Sequence, residues 1–112
     1  MVDWSYEKST LQVAGTTIKL DDNIEKVISS NDVVVVLLDY TCASNKNQNI
    51  IAFDQNGDQM WRVEPSPGSS EDENPYTGIG FQGDDLIGYT WRGLSVRIDV
   101  NTGAWETGKL SK

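Results

Sequence analysis

Turn signals follow one another so closely along this chain that little room is left for a helix. Asn56-Gly57 is a hairpin signal, because both residues tolerate positive φ, and Arg92-Gly93 and Asn101-Thr102-Gly103 are weaker forms of it. The runs between the turns are short and rich in β-forming residues, and none has a capped helical period. The sequence therefore predicts an all-β protein. Strands are expected near Leu11–Val13, Thr16–Leu20, Ile24–Ser29, Val33–Asp39, Asn49–Asp54, Gln59–Glu64, Tyr76–Phe81, Leu86–Trp91, Leu94–Asp99 and Ala104–Thr107.

One segment, residues 65–75, is unsuited to any sheet. It contains three prolines, no apolar side chain and three adjacent carboxylates, Glu71, Asp72 and Glu73. We expect it to be a long connection that divides the chain into two halves. A length of 112 residues favours one domain. The predicted organisation is a single all-β domain over residues 1–112, with an N-terminal hairpin (1–22), a first blade-like unit (23–64), the acidic loop (65–75) and a second blade-like unit (76–112).

The two halves show internal similarity. Asp32-Val33-Val34 matches Asp85-Leu86-Ile87 at an offset of 53, and Asn49–Asp54 matches Leu94–Asp99 at an offset of 45. The loop between the paired strands absorbs the difference, since it is much longer in the first half. The similarity predicts two copies of one hairpin-based unit.

The same similarity decides two local questions. Asn23–Ser29 has some helical spacing, but it corresponds to Pro75–Gln82, which has none, so a strand is predicted there. Each half then continues through a turn into a tryptophan strand. Trp61 and Trp105 each lie an even number of residues after the glycine of the preceding turn. Because side chains alternate between the two faces of a strand, this spacing predicts that the two tryptophans face the same way.

These hairpins resemble those of β-propellers. Phe53–Trp61 and Ile98–Trp105 look like outer hairpins of propeller blades, and Val33–Val36 looks like an inner strand, apolar at every position because both faces are covered. A closed propeller needs at least about four blades, and this chain has two. The resemblance therefore implies two blade-like antiparallel sheets that form a β-sandwich or half-propeller. The N-terminal hairpin would cover an edge or an open face.

The residue inventory argues against catalysis. The chain has no histidine and one cysteine, Cys42, so Ser-His and Cys-His pairs and the usual zinc sites are excluded. Gly78-x-Gly80-x-x-Gly83 matches a dinucleotide fingerprint by its letters only, because another β run follows where a helix should begin. We expect no enzyme activity, no catalytic residue and no cofactor.

A calcium site is also disfavoured. Asp54-x-Asn56-x-Asp58 resembles the start of a calcium loop, but Gln59 and Pro65 stand where that loop needs glycine and glutamate. Turn chemistry explains the pattern better, and no metal site is predicted.

Charge supplies the main indication of a partner. The net charge of −8 repels nucleic acid and anionic membranes and attracts basic proteins, although it also serves solubility. The opening residues have neither an apolar run nor a basic start, and Val33–Leu38 is too short to span a membrane, so the cytoplasm is expected. Partner binding is predicted for five carboxylates and one aromatic anchor: Glu71, Asp72, Glu73, Asp84, Asp85 and Tyr76.

By its type and its propeller-like hairpins the chain is similar to immunity proteins of bacterial contact-dependent growth inhibition and related toxin systems. These proteins are small, often acidic and free of catalytic motifs, and many cover the active site of a basic nuclease toxin. The resemblance implies a cytoplasmic inhibitor of a basic toxin domain. Two alternatives stay open: a propeller-like structural or oligomerisation module, and a carbohydrate-binding sandwich that uses Trp61, Trp91 or Trp105 for stacking. The sequence predicts no oligomeric state.

Overall fold

Short hairpins build the whole described structure, as the turn spacing predicts. The computed structural model describes residues 3–30, 32–41, 48–64, 75–91 and 93–106. Those residues contain strands and turns and no α-helix, so the all-β prediction is confirmed, and none of them belongs to a helix capable of crossing a membrane. The strands are β1 (Trp4–Glu7), β2 (Thr10–Val13), β3 (Thr16–Lys19), β4 (Ile24–Ser30), β5 (Val33–Leu38), β6 (Ile50–Phe53), β7 (Gln59–Arg62), β8 (Tyr76–Gln82), β9 (Asp85–Thr90), β10 (Ser95–Ile98) and β11 (Trp105–Glu106).

The N-terminal sheet is an antiparallel meander of β1, β2 and β3. A two-residue turn at Ala14-Gly15, with φ of 50° and 87°, connects β2 to β3. β2 and β3 correspond to the predicted N-terminal hairpin, and β1 adds a third strand to it. Leu11 and Val13 are fully buried and pack on the next sheet, so the N-terminal sheet covers a face of its neighbour.

The middle sheet, β4-β5-β6-β7, is buried on both faces. Val34, Val36 and Leu38 pack in the cluster shared with the N-terminal sheet. Val35 and Leu37 point the other way, into the cluster shared with the C-terminal sheet. A strand enclosed on both sides has no solvent-facing position, which is why β5 is apolar throughout.

The C-terminal sheet has the strand order β11-β10-β9-β8 and repeats the meander of the middle sheet. The two sheets even share an irregularity: the register shifts at Glu25 in β4 and at Thr77 in β8, the second residue of each strand. The adjoining turns close on equivalent pairs, Ser30 with Val33 and Gln82 with Asp85.

This alignment corrects the expected offset for the first hairpin. Equivalent residues lie 52 apart rather than 53, because Val33 and not Asp32 corresponds to Asp85. The offset of 45 for the following strand is confirmed, since Phe53 pairs with β5 as Ile98 pairs with β9.

The middle and C-terminal sheets stack front to back. Val34 and Leu86 are equivalent, yet Val34 faces the N-terminal sheet and Leu86 faces the middle sheet. Phe53 and Ile98 differ in the same way. A two-fold sandwich would bring equivalent faces together, whereas adjacent propeller blades meet through opposite faces. The stack therefore has the half-propeller relationship, and no described sheet covers the outer face of the C-terminal sheet.

The two tryptophan strands depart from this equivalence. Trp105 pairs with Ile98, whose counterpart in the middle sheet is Phe53. Trp61 pairs instead with Ala52, the residue before Phe53, because a register shift interrupts the β6–β7 ladder. The two indoles consequently lie on non-equivalent faces and both pack into the core between the middle and C-terminal sheets. The prediction that they face the same way is wrong for this reason.

Candidate partner interface

Acidic side chains gather at one end of the C-terminal sheet. Asp84 lies in the β8–β9 turn, Asp85 begins β9, and Asp99 begins the β10–β11 turn. Because Leu86 pairs with Ile98, the beginning of β9 lies beside the end of β10. Together they surround a surface depression of about 350 Å³, which we call the acidic depression. It is lined by Asp84, Asp85, Arg97, Ile98, Asp99, Val100 and Ala104.

Backbone bonds fix the turn that forms one wall of the acidic depression. The Asp99 Oδ1 atom accepts the Asn101 N–H at 2.8 Å, and the Asp99 carbonyl accepts the Gly103 N–H at 2.8 Å. The Val100 carbonyl accepts the indole N–H of Trp61, also at 2.8 Å, and so connects the turn to the core. The position of the Asp99 carboxylate is thus set before any partner arrives.

The acidic depression has negative charge in excess. Three carboxylates face a single guanidinium, that of Arg97. Its Nη1 atom lies 3.9 Å from the Asp85 carboxylate, at the limit of an ion pair, and both side chains are partly exposed. Such a pair contributes little in water. The surroundings favour a cationic group and repel phosphate.

The structure places the other sequence motifs in turns and strands. The Asp54 carboxylate accepts the backbone N–H groups of Asn56 and Asp58 at 2.9 and 3.0 Å, and Gly57 has φ of 90°, so the turn interpretation is confirmed. The glycine motif lies within β8 and its following turn, and it leads into another strand. Within the described ranges, no three acidic, cysteine or histidine side chains are grouped so that they could hold a metal ion.

Tyr76, the predicted aromatic anchor, is a core residue. Its side chain is 0% exposed and packs beside Gly88, where an added Cβ would lie 2.9 Å from the ring. Burial, followed by the charge of Glu64, raises the pKa of its hydroxyl above the ordinary value. The prediction of a surface anchor at Tyr76 is wrong because the register shift at Thr77 turns Tyr76 inward. Without this shift, the alternation of side chains along β8 would have placed Tyr76 on the same outer face as Gly78.

The predicted charged residues divide into two groups. Asp84 and Asp85 are exposed and belong to the acidic depression. Glu71, Asp72 and Glu73 lie outside the described residues. Asp99 joins the site without having been predicted, although the pairing of β9 with β10 would have indicated its closeness to Asp85.

Trp91 is the most exposed of the tryptophans. It is 63% exposed, whereas Trp61 is buried and Trp105 is half-buried against the core. A stacking role for Trp61 is therefore excluded by burial, and the carbohydrate alternative depends on Trp91.

Comparisons with known proteins identify the family. No curated protein and no solved structure matches this chain. Residues 1–110, almost the whole chain, match the family described as a domain of unknown function, DUF7957, and the chain therefore belongs to that family.

Proposed function

We propose that this chain is a protein-binding inhibitor, specifically an immunity protein that neutralises a basic toxin domain by covering its active site. The observation that carries the proposal is the acidic depression, a negatively charged surface site on a chain whose net charge is −8. A nuclease attracts a polyanion and so needs a positive cleft. An acidic surface of fixed geometry competes for that cleft.

The residue inventory supports binding over turnover. The sequence has no histidine, so the commonest general base is missing, and it has a single cysteine. The carboxylates of the acidic depression are exposed, which makes them accessible to a basic partner. An inhibitor of a cytoplasmic toxin would itself act in the cytoplasm, without a cofactor.

The shape of the acidic depression also suits recognition. The β10–β11 turn, which the Val100–Trp61 hydrogen bond connects to the core, holds the Asp99 carboxylate in place, so this group loses little conformational entropy when a partner binds. Charge attraction raises the association rate, and this effect weakens with salt. The carboxylates Glu71, Asp72 and Glu73 add to the negative charge of the sequence.

One other function has a specific observation in its favour. The outer face of the C-terminal sheet lacks a covering sheet among the described residues, and a structural module would bury that face against a second copy. Sedimentation distinguishes the two functions. A stable dimer of the pure protein favours the module, whereas a monomer that binds a toxin favours the inhibitor.

Co-expression tests the proposal directly. The probe is the C-terminal domain of the protein encoded immediately upstream of this gene. We expect that domain to arrest growth when expressed alone, and co-expression of this chain to restore growth. Growth arrest that this chain does not relieve, or an upstream domain without toxicity, would contradict the proposal.

A further inference from the structure

We infer that the hairpin tip between β9 and β10 is the aromatic anchor for a basic protein partner. This inference rests on the proposed function and identifies the anchor that Tyr76 does not provide. The tip consists of Trp91 and Leu94, with Tyr40 packed against the indole; we call these three residues the aromatic tip.

Exposed apolar surface is concentrated at this place. Four large apolar or aromatic side chains are exposed in the described part of the chain, and three of them lie within residues 89–94. They are Trp91 at 63%, Leu94 at 38% and Tyr89 at 37%, while the fourth, Tyr6, lies on the N-terminal sheet. Single exposed apolar residues are ordinary, but a group rimmed by polar residues marks an interaction surface.

The aromatic tip is held in position by the fold. The Trp91 N–H donates to the Pro75 carbonyl at 2.8 Å, and the Leu94 N–H donates to the hydroxyl of buried Thr90 at 3.1 Å. The rings of Tyr40 and Trp91 are 5.7 Å apart and inclined at 48°. A preorganised aromatic side chain loses little freedom on binding, which is the property of an interface hot spot.

The residue that precedes Tyr40 in the chain, Asp39, carries a negative charge. The Asp39 carboxylate, next to Tyr40 in the chain, accepts the hydroxyl of Thr41 at 2.6 Å and its backbone N–H at 2.9 Å. These bonds lower the pKa of Asp39, so the group stays ionised. A tryptophan face attracts a cation, and arginine does so while contributing apolar contact. The combination of an indole, a tyrosine and a nearby carboxylate fits a basic side chain on a protein.

The distance to the acidic depression allows one partner to cover both sites. Asp85 and Trp91 are at opposite ends of β9, which at ~3.3 Å per residue separates them by roughly 20 Å. A standard interface buries about 800 Å² on each partner, a patch roughly 30 Å across. Asp85 and Tyr89 are exposed at alternate positions of β9, on the face of the C-terminal sheet that points away from the middle sheet. A single basic partner would therefore contact charge at one end and the aromatic tip at the other.

The experiment measures binding of the C-terminal domain encoded immediately upstream, inactivated in its active site, by surface plasmon resonance. Trp91→Ala should raise Kd about 30-fold, mainly by faster dissociation, because buried aromatic anchors contribute ~2 kcal/mol or more. The matched control is Tyr6→Ala, which removes an exposed aromatic side chain from the N-terminal sheet and should change Kd less than about twofold. Circular dichroism of both variants checks that they are folded.

Each outcome has a separate meaning. If wild-type protein binds the domain and Trp91→Ala binds equally well, the anchor is wrong and the proposed function stands. If the wild type does not bind, the proposed function and the anchor both fail. Saturable binding to a glycan array that Trp91→Ala abolishes, or a homodimer that Trp91→Ala dissociates, would also overturn the inference by showing a different occupant.

Discussion

The side-chain amide of Asn49 and the backbone of Tyr76 form a reciprocal pair of hydrogen bonds. The Asn49 Nδ2 group donates to the Tyr76 carbonyl at 2.8 Å, and the Tyr76 N–H donates to Asn49 Oδ1 at 3.0 Å. The same Nδ2 group donates to the Leu38 carbonyl at 3.0 Å. Asn49 is fully buried, so one polar side chain joins the middle sheet to the beginning of β8 and satisfies backbone groups that water does not reach.

Replacing Asn49 with alanine should therefore destabilise the protein strongly. Two carbonyls and one N–H group would lose their partner in the interior, and each buried unsatisfied group costs about 1–3 kcal/mol. We expect the free energy of unfolding to fall by about 3 kcal/mol, measured by urea denaturation. Asn56→Ala, in an exposed turn, is the control and should change it by less than about 0.5 kcal/mol. Equal stability of the two variants would mean that the Tyr76 backbone finds other partners.

Gly103 is required by its packing as well as by its backbone. Its φ is 82°, and an added Cβ would lie 2.7 Å from the Trp61 ring. Gly93 has φ of 89° with nothing within 4 Å, so it reproduces the backbone strain without the contact. Gly93→Ala should cost about 1 kcal/mol and Gly103→Ala about 3 kcal/mol, because overpacking adds to the strain. Thermal denaturation of the pair measures the difference, which would vanish if the Trp61 ring moved aside freely.

Alkaline pH should destabilise the protein through Tyr76. Because the pKa of this hydroxyl is raised above 10.0, the folded chain holds the proton more tightly than the unfolded chain does. The resulting stability is complete below pH 10 and is lost as pH rises through the folded pKa, at up to about 1.4 kcal/mol per pH unit. Tyr76→Phe should remove this slope at little cost near pH 7, since the hydroxyl makes only a 3.5 Å contact with the Glu64 carbonyl. Urea denaturation between pH 8 and 11 measures the slope of the unfolding free energy against pH, with Tyr6→Phe as control. Equal slopes for the wild type and Tyr76→Phe would contradict the assignment to Tyr76.

The strands were predictable because their signals are local. Turn residues and the apolar run of β5 need only a few neighbouring positions, and the repeat settled the strand over β4. β1 was missed because Trp4–Glu7 has no apolar alternation and pairs along one edge only. The single-residue error in the first offset came from aligning Asp32 with Asp85 by residue type, whereas strand pairing aligns Val33 with Asp85.

The side chains that face solvent were harder to predict, for a physical reason. One extra residue in a strand reverses the side of every position beyond it, and nothing in the sequence marks Thr77 as such a residue. Tyr76 was assigned to the surface because it follows the acidic loop, and the register shift turns it into the core instead. The acidic depression was half predictable: Asp84 and Asp85 follow from charge, but adding Asp99 requires the register of β9 with β10.

The contribution of the acidic depression to binding can be separated from that of net charge. Asp84→Lys and Glu7→Lys change the charge of the chain equally, and both side chains are exposed, but only Asp84 lines the acidic depression. For the inactivated upstream toxin domain at the low salt of this experiment, about 0.1 M, attraction acts within a Debye length of about 10 Å. Asp84→Lys should therefore slow association about tenfold and Glu7→Lys less than about twofold. Stopped-flow measurements from low to high salt should show the two rates converging as the charges are screened. Equal slowing by both variants at low salt would mean that the partner senses only overall charge, and the acidic depression would then not be the contact.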